Sequence, residues 1–354
     1  MKHNSILLVL ALMFVSSLSF CGDKDKESKV ISFMKDNPDK IAITLIRNDS
    51  VIVDVNSSKV MPLASTVKIL VAIEYAEQAA SGKINPDEVI DKKDLNIYYV
   101  PKTDGGAHPR WLEKLEGKPI TLREVAKGMI QYSSNANTEY LCHLLGLENI
   151  NRQRERLGLK NHTEVHYIVS ALFVSKELFP ATKDKEIFDK LKEVPIDEYI
   201  ATTVSIHDKL NNDSIYKDEL GKLSLDVQRN WSDNLPASTT TDYVSIMQKL
   251  NSKSYFSKDV NGYLGELLEG MMENPANQSW LVHCGTKGGS TAFVLTKALY
   301  ATDKKGNTTE LAYFFNDLKI MENVQLQLNL NDFELSVLSK PQFVEELAKE
   351  LNNK

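Results

Sequence analysis

Three short groups of residues in this chain could share one piece of chemistry. They are Ser65-Thr66-Val67-Lys68, Ser133-Ser134-Asn135 and Lys287-Gly288-Gly289, in that order along the sequence. A serine three residues before a lysine places both side chains on one helical face. If apolar surroundings desolvate the lysine, its neutral form is favoured, and it can then accept the serine proton. Ser-x-x-Lys alone is a weak signal, because Ser32/Lys35, Ser65/Lys68 and Ser214/Lys217 all satisfy it. Ser65 stands apart through its context. It follows a pair of apolar segments and opens the apolar run Ile69-Leu70-Val71-Ala72-Ile73, so its hydroxyl would sit at the positive end of a helix. The same residues also describe an N-capping serine followed by a lysine whose stem lies along apolar surface.

The elements that must position these groups can be read from the pattern. Val30 to Lys35 reads as a short helix. Ile41 to Ile46 and Val51 to Val55 read as strands joined through Asn48-Asp49-Ser50. Ser65 to Ala80 has helical periodicity. Thr121 to Leu145 reads as a second helical run, with Thr121 and Glu124 spaced as a capping box. Residues 147 to 250 are mostly helical. Trp280 to Lys287, Ser290 to Thr302 and Glu310 to Leu318 read as strands, and Pro341 to Leu351 as an amphipathic helix. The expected fold class is therefore α/β (α+β). Strands from the two ends share one antiparallel sheet flanked by helices, and the middle forms a mainly helical subdomain carrying an expanded insertion. The sheet part is expected at about 31–75 and 255–354, and the helical part at about 76–254. A cleft between them is the natural place for a ligand.

The three groups resemble the motifs of the class A β-lactamases and penicillin-binding serine hydrolases. Val60 to Lys68 is similar to the stretch leading into that family's nucleophile, and Tyr132-Ser133-Ser134-Asn135-Ala136 to its Tyr-Ser-Asp-Asn element. Gly285-Thr286-Lys287-Gly288-Gly289-Ser290-Thr291 is similar to its Lys-Thr-Gly strand. The resemblance implies that Ser65 is the nucleophile, Lys68 its proton acceptor and Ser133 the relay to the leaving nitrogen. It implies that Asn135, Lys287 and Gly289 bind substrate, and that the N–H groups of Ser65 and Ser290 form an oxyanion hole. Tyr99, in Tyr99-Val100-Pro101, resembles the family's cleft-edge tyrosine, and an ordinary aromatic in a turn reads the same way. No cofactor and no metal are implied. His162 and His166 lack a Glu-bearing zinc motif between them.

The resemblance also breaks. Ser134 replaces aspartate, and Gly288 replaces the threonine of Lys-Thr-Gly. No Glu-x-x-Leu-Asn string supplies the base that clears the acyl-enzyme. Ser238-Thr239-Thr240-Thr241 resembles the end of that loop, but a charged expansion at roughly 165 to 235 precedes it. Glu164, Glu219 and Asp226 lie in the region without the expected neighbours, so no deacylation base is assigned.

The ends and the overall balance set the remaining bounds. Residues 1–20 read as a signal peptide. Cys21 in Leu18-Ser19-Phe20-Cys21 resembles a lipidated first mature residue, with 21–30 as a tether; a plain secretory signal is the other reading. The domain proper would span 31–354. Net charge is −6 and no long basic run occurs, which argues against nucleic acid as a partner. The expectation is an exported, membrane-anchored monomer acting on a small molecule. Cys142 and Cys284 read as isolated buried thiols, although an oxidising compartment would permit a bridge. The activity implied is hydrolysis of β-lactams through an acyl-serine. A D-Ala-D-Ala carboxypeptidase, an esterase and a penicillin-binding sensor without turnover are the alternatives.

Overall fold

The computed structural model describes residues 26–182, 184–213, 216–217 and 223–352. Residues 1–25, with the stretch expected to be a signal peptide and Cys21, lie outside the described residues, as do Ser214 and Glu219.

Segments from both ends build one five-stranded antiparallel sheet in the order β2-β1-β7-β6-β5. The strands are β1 (Ile41–Arg47), β2 (Ser50–Val55), β5 (Leu281–Ser290), β6 (Leu295–Asp303) and β7 (Thr308–Phe315). A second, two-stranded pairing joins β3 (Met61–Pro62) to β4 (Ala237–Ser238). The β1–β2 turn is tight, with Asn48 and Asp49 both at positive φ, as a two-residue hairpin requires.

The sheet separates two cores because β1 is covered on both faces. Ala42 and Ile46 point to the helical side, and Ile41, Ile43 and Leu45 to the other. That other face is covered by the helices Lys26–Asp36, Ile320–Ser339 and Pro341–Asn352, through Val30, Leu330, Phe333, Val344 and Leu347. On the helical side lie the nucleophile helix (Lys68–Ala80), the second-motif helix (Asn135–Leu145) and the helices Thr240–Asn251 and Lys258–Leu268.

Three expectations are corrected, and one helix is added to them. The first helix begins at Lys26, inside the stretch read as tether, because Glu27 pairs with Lys340 and Val30 is buried. The helix Lys258–Leu268 packs against the nucleophile helix through Val260, Leu264 and Leu267, so it belongs with the helical half despite following residue 255. The run Thr121 to Leu145 is two helices rather than one. A π turn at Gly128–Tyr132 ends the first (Leu122–Lys127), and Ser133 then turns left-handed at φ 69°. Finally, the 20-residue helix Ile320–Ser339 did not register in the sequence pattern. Its apolar positions Leu326, Leu330, Phe333 and Val337 share a buried face with Asn323, Glu334 and Ser336, which blurs the stripe.

The expanded segment is folded around a third core. Val169, Phe173, Leu191, Tyr199, Ile206 and Leu210 form it, drawn largely from the segment Ser170–Leu178 and the helices Asp184–Lys192 and Ile196–Asn212. Cys142 and Cys284 are free, buried thiols, one in each of the two larger cores.

Candidate active site

The turn that carries Ser65, the expected nucleophile, is held rigidly by its neighbours. Ala64–Val67 is a short 3₁₀ turn that leads directly into the nucleophile helix. Ala64 has φ 45°, a conformation that costs a non-glycine residue on the order of 1–3 kcal/mol. The surrounding contacts hold it there. Leu63 N–H donates to Pro236 O at 2.9 Å, and Thr296 Oγ1 donates to Leu63 O at 2.7 Å. With the Thr296 hydrogen so engaged, Thr66 Oγ1 donates to Thr296 Oγ1 at 2.8 Å. The edge strand β5 closes against this turn at Gly289. A Cβ there would lie 2.5 Å from Ser65 N and 2.6 Å from Leu63 O, so only glycine fits.

Two lysines from distant parts of the chain converge on one hydroxyl. Lys68, fully buried, donates from Nζ to Ser133 O at 2.7 Å, to Asn135 Oδ1 at 2.9 Å and to Ser133 Oγ at 3.3 Å. Lys287 on β5 donates to the same Ser133 Oγ at 3.1 Å and to Gly288 O at 2.7 Å. The left-handed Ser133 delivers both its carbonyl and its hydroxyl to these amines. Burial pushes Lys68 down to about 7, against a weaker pull upward from the Asp104 carboxylate. Burial also drives Lys287 well below its ordinary value, and the charges of Lys68 and Lys297 lower it further. Ser65 is partly exposed, one helical turn before Lys68, and none of the described side chains hydrogen-bonds its hydroxyl. Apo sites commonly leave such contacts open until substrate arrives.

Ser65, Lys68, Ser133, Asn135, Lys287 and Gly289 are thus brought together, with Ser290 exposed at the end of β5. Tyr99 is linked to the group through an intermediary. Its ring stacks on His108 at 4.9 Å, and His108 Nδ1 lies 2.9 Å from Ser134 Oγ and 3.1 Å from Asn137 Oδ1. Ser134 caps the second-motif helix by accepting from Asn137 N–H. The Asp104 carboxylate fixes the loop below, accepting from the N–H groups of Gly106 and His108 at 3.0 Å each. The other serines lie elsewhere. Ser32 is exposed on the first helix, and Lys35 is paired with Glu350. His162 and His166 are buried in the helical region, where His162 Nε2 meets Tyr243 OH at 3.2 Å.

Sequence reasoning missed Glu139. It lies one turn beyond Asn135 on the second-motif helix and is wholly buried. Its carboxylate accepts from Val169 N–H at 2.9 Å, Ser170 N–H at 3.1 Å and the Ser170 hydroxyl, and faces His207 Nδ1 at 3.3 Å. It therefore pins the start of the expanded segment. The adjacent Ile168 packs with Ala64, Leu235 and Val294, and accepts from Trp231 Nε1 at 2.9 Å. Glu164 and Asp226 are exposed, and among the described residues no carboxylate hydrogen-bonds Ser65, Lys68, Ser133 or Asn135. A periodicity search could not have found Glu139, because its partners lie about 30 residues on, in a loop without a motif.

The sequence model of the beta-lactamase enzyme family matches residues 26–279. Among solved structures, the chain is similar to a beta-lactamase from Chitinophaga pinensis DSM 2588, at 16% identity and a TM-score of 0.52 over 88% of this chain and 99% of that one. It is similar to TLA-3 extended-spectrum beta-lactamase at 14% identity and a TM-score of 0.53, over 89% and 100% of the two chains. It is also similar to a mutant of PBP-A in acyl-enzyme complex with penicillin G, at 14% identity and a TM-score of 0.51, over 89% and 97%. At such identities these likenesses show a shared fold.

Proposed function

Because the chain belongs to the beta-lactamase enzyme family, we propose that it is an exported serine hydrolase that opens β-lactams through an acyl-serine at Ser65. The observation that carries this reading is the meeting of Lys68 and Lys287 on the Ser133 hydroxyl, next to the nucleophile turn. Neutral Lys68 takes the Ser65 proton as Oγ attacks the amide carbonyl carbon. The Ser65 N–H and the Ser290 N–H receive the developing oxyanion. The C–N bond then breaks, and Ser133 passes a proton to the leaving nitrogen, resupplied from the lysines on either side of it. Asn135 holds the substrate amide, Lys287 attracts its carboxylate and Tyr99 borders the cleft. Export with lipidation at Cys21, a monomeric state and the absence of nucleic-acid partners belong to the same reading.

A second outcome for the same acyl-enzyme follows if no base activates the water that clears it. Ester hydrolysis needs an activated water, and among the described residues no carboxylate hydrogen-bonds Ser65, Lys68, Ser133 or Asn135. A β-lactam-derived acyl group that persists suits a D-Ala-D-Ala carboxypeptidase acylated by penicillin, or a sensor that traps its ligand.

One experiment tests both. The mature protein is incubated with a chromogenic cephalosporin while turnover and intact mass are followed. Steady turnover lost in Ser65→Ala is the expected result for a β-lactamase. A stable adduct on Ser65 without turnover moves the assignment to the trapping roles. Absence of both adduct and turnover overturns acylation by β-lactams and leaves an esterase or a binding protein.

A further inference from the structure

A second cluster of titratable side chains lies away from the nucleophile. His143 is eight residues beyond Asn135 on the second-motif helix, about 12 Å of helical rise. His207 is on the helix Ile196–Asn212 of the expanded segment. His207 Nε2 and His143 Nδ1 face each other at 3.0 Å. His207 cannot turn away. Tyr167 stacks on it at 3.6 Å with 1° between the planes, and Tyr98 stacks on it at 5.1 Å with 7°. Its Nδ1 faces Glu139 Oε1, which already accepts from Ser170. A carboxylate receiving donors requires a hydrogen on Nδ1, so the neutral ring presents its Nε2 lone pair to His143. His143 is exposed, which leaves room for solvent at the pair.

We propose that His143 Nδ1 and His207 Nε2 form a two-histidine site for a first-row divalent cation of the Zn²⁺ type, its remaining positions filled by water. Zinc–imidazole bonds of about 2.0–2.1 Å set two nitrogens on a tetrahedral ion about 3.3 Å apart, so a few tenths of an ångström of movement by the exposed His143 opens the pair to the ion. The hydrogen now lying between the rings moves to His143 Nε2, and the neutral pair loses no proton. Glu139 serves as the outer carboxylate that fixes the inner histidine, the usual second-shell arrangement around a metal-bound imidazole. Imidazole nitrogen selects borderline ions such as Zn²⁺, Cu²⁺ and Ni²⁺ over Mg²⁺ and Ca²⁺. Among the described residues no group of three ligating side chains forms, so the site binds more weakly than a four-ligand structural zinc. The bound ion would clamp the second-motif helix to the expanded segment and raise thermal stability by mass action.

The test uses the tag-free mature chain, stripped with a chelator. Zn²⁺ binding is followed by calorimetry, Co²⁺ binding by visible absorption, and the thermal midpoint is recorded with and without Zn²⁺. The expected result is one ion per chain, a higher midpoint with Zn²⁺, and loss of both effects in His143→Ala. That variant also leaves the buried His207 Nε2 without its partner, so its ion-free midpoint is expected to fall, and the readout is the shift that Zn²⁺ adds to each protein's own ion-free midpoint. Glu139→Gln is expected to weaken binding by about 10–100-fold. No saturable uptake by the parent at about 1 mM ion, or uptake retained by His143→Ala, overturns the site. Neither readout depends on acylation of Ser65.

Discussion

An amine with an ordinary pKa near 10.5 cannot accept a proton at neutral pH, so in the proposed acylation the lowering of Lys68 to about 7 decides when Ser65 can attack. The acylation rate should rise with pH and level off above a midpoint near 7; a rate that stays flat from below this midpoint to well above it removes Lys68 as the base. The sign for stability is the same. Between the folded value and 10.5 the unfolded chain holds the extra proton, so stability rises with pH, by up to about 1.4 kcal/mol per unit for this group. Denaturant melts of Lys68→Met across that range should lack this part of the slope. At Gly288 a Cβ would make only ordinary contacts, the nearest being 3.4 Å from Lys297 Cδ. Gly288→Thr should therefore fold, and the added hydroxyl should tighten binding of carboxylate-bearing β-lactams by about 0.5–1.5 kcal/mol, read as a lower KM. Residue types and spacing were enough to single out Ser65, Lys68, Ser133, Asn135 and Lys287. They could not reveal that His108 stands between Tyr99 and Ser134, because that contact joins residues from separate loops.

At the level of elements, the site depends on the seating of β5 against the nucleophile turn. Gly289→Ala would drive a methyl group into the backbone of Leu63 and Ser65. Overpacking of this kind costs about 1–3 kcal/mol. Acylation should fall by far more than the loss of stability explains, and a variant that acylates at the parental rate would contradict the close approach. The strands were legible because both faces of the sheet are covered: Ile41 to Ile46 is a nearly unbroken apolar run bounded by turn residues. The break at Ser133 was not legible. Its cause is tertiary: Gly128 passes so close to Trp111 and Asn137 that a Cβ would lie 2.7 Å and 2.3 Å from them, and no local propensity encodes that.

For the whole molecule, the expanded segment folds around a core that Val100 and Ile97 also enter, and polar ties join it to the rest of the helical half. The chief tie is Glu139 with Val169, Ser170 and His207. Glu139→Ala leaves those donors buried without an acceptor, at a cost of about 1–3 kcal/mol for each one unpaired. Hydrogen exchange should speed up from Val165 through Leu210 while β1, β6 and β7 stay protected; equal loosening of the sheet would show that the segment is not a separate unit. The two-ended sheet and the helical middle could be foreseen from the order of periodicities, but this internal division could not, since charged helices resemble solvated surface until their third core is seen. The left-handed Ser133 carries one more consequence, for evolution. Glycine adopts that backbone without penalty, so a library sorted only for heat resistance would drift toward Ser133→Gly, and its hardiest members would have given up the hydroxyl on which both amines converge.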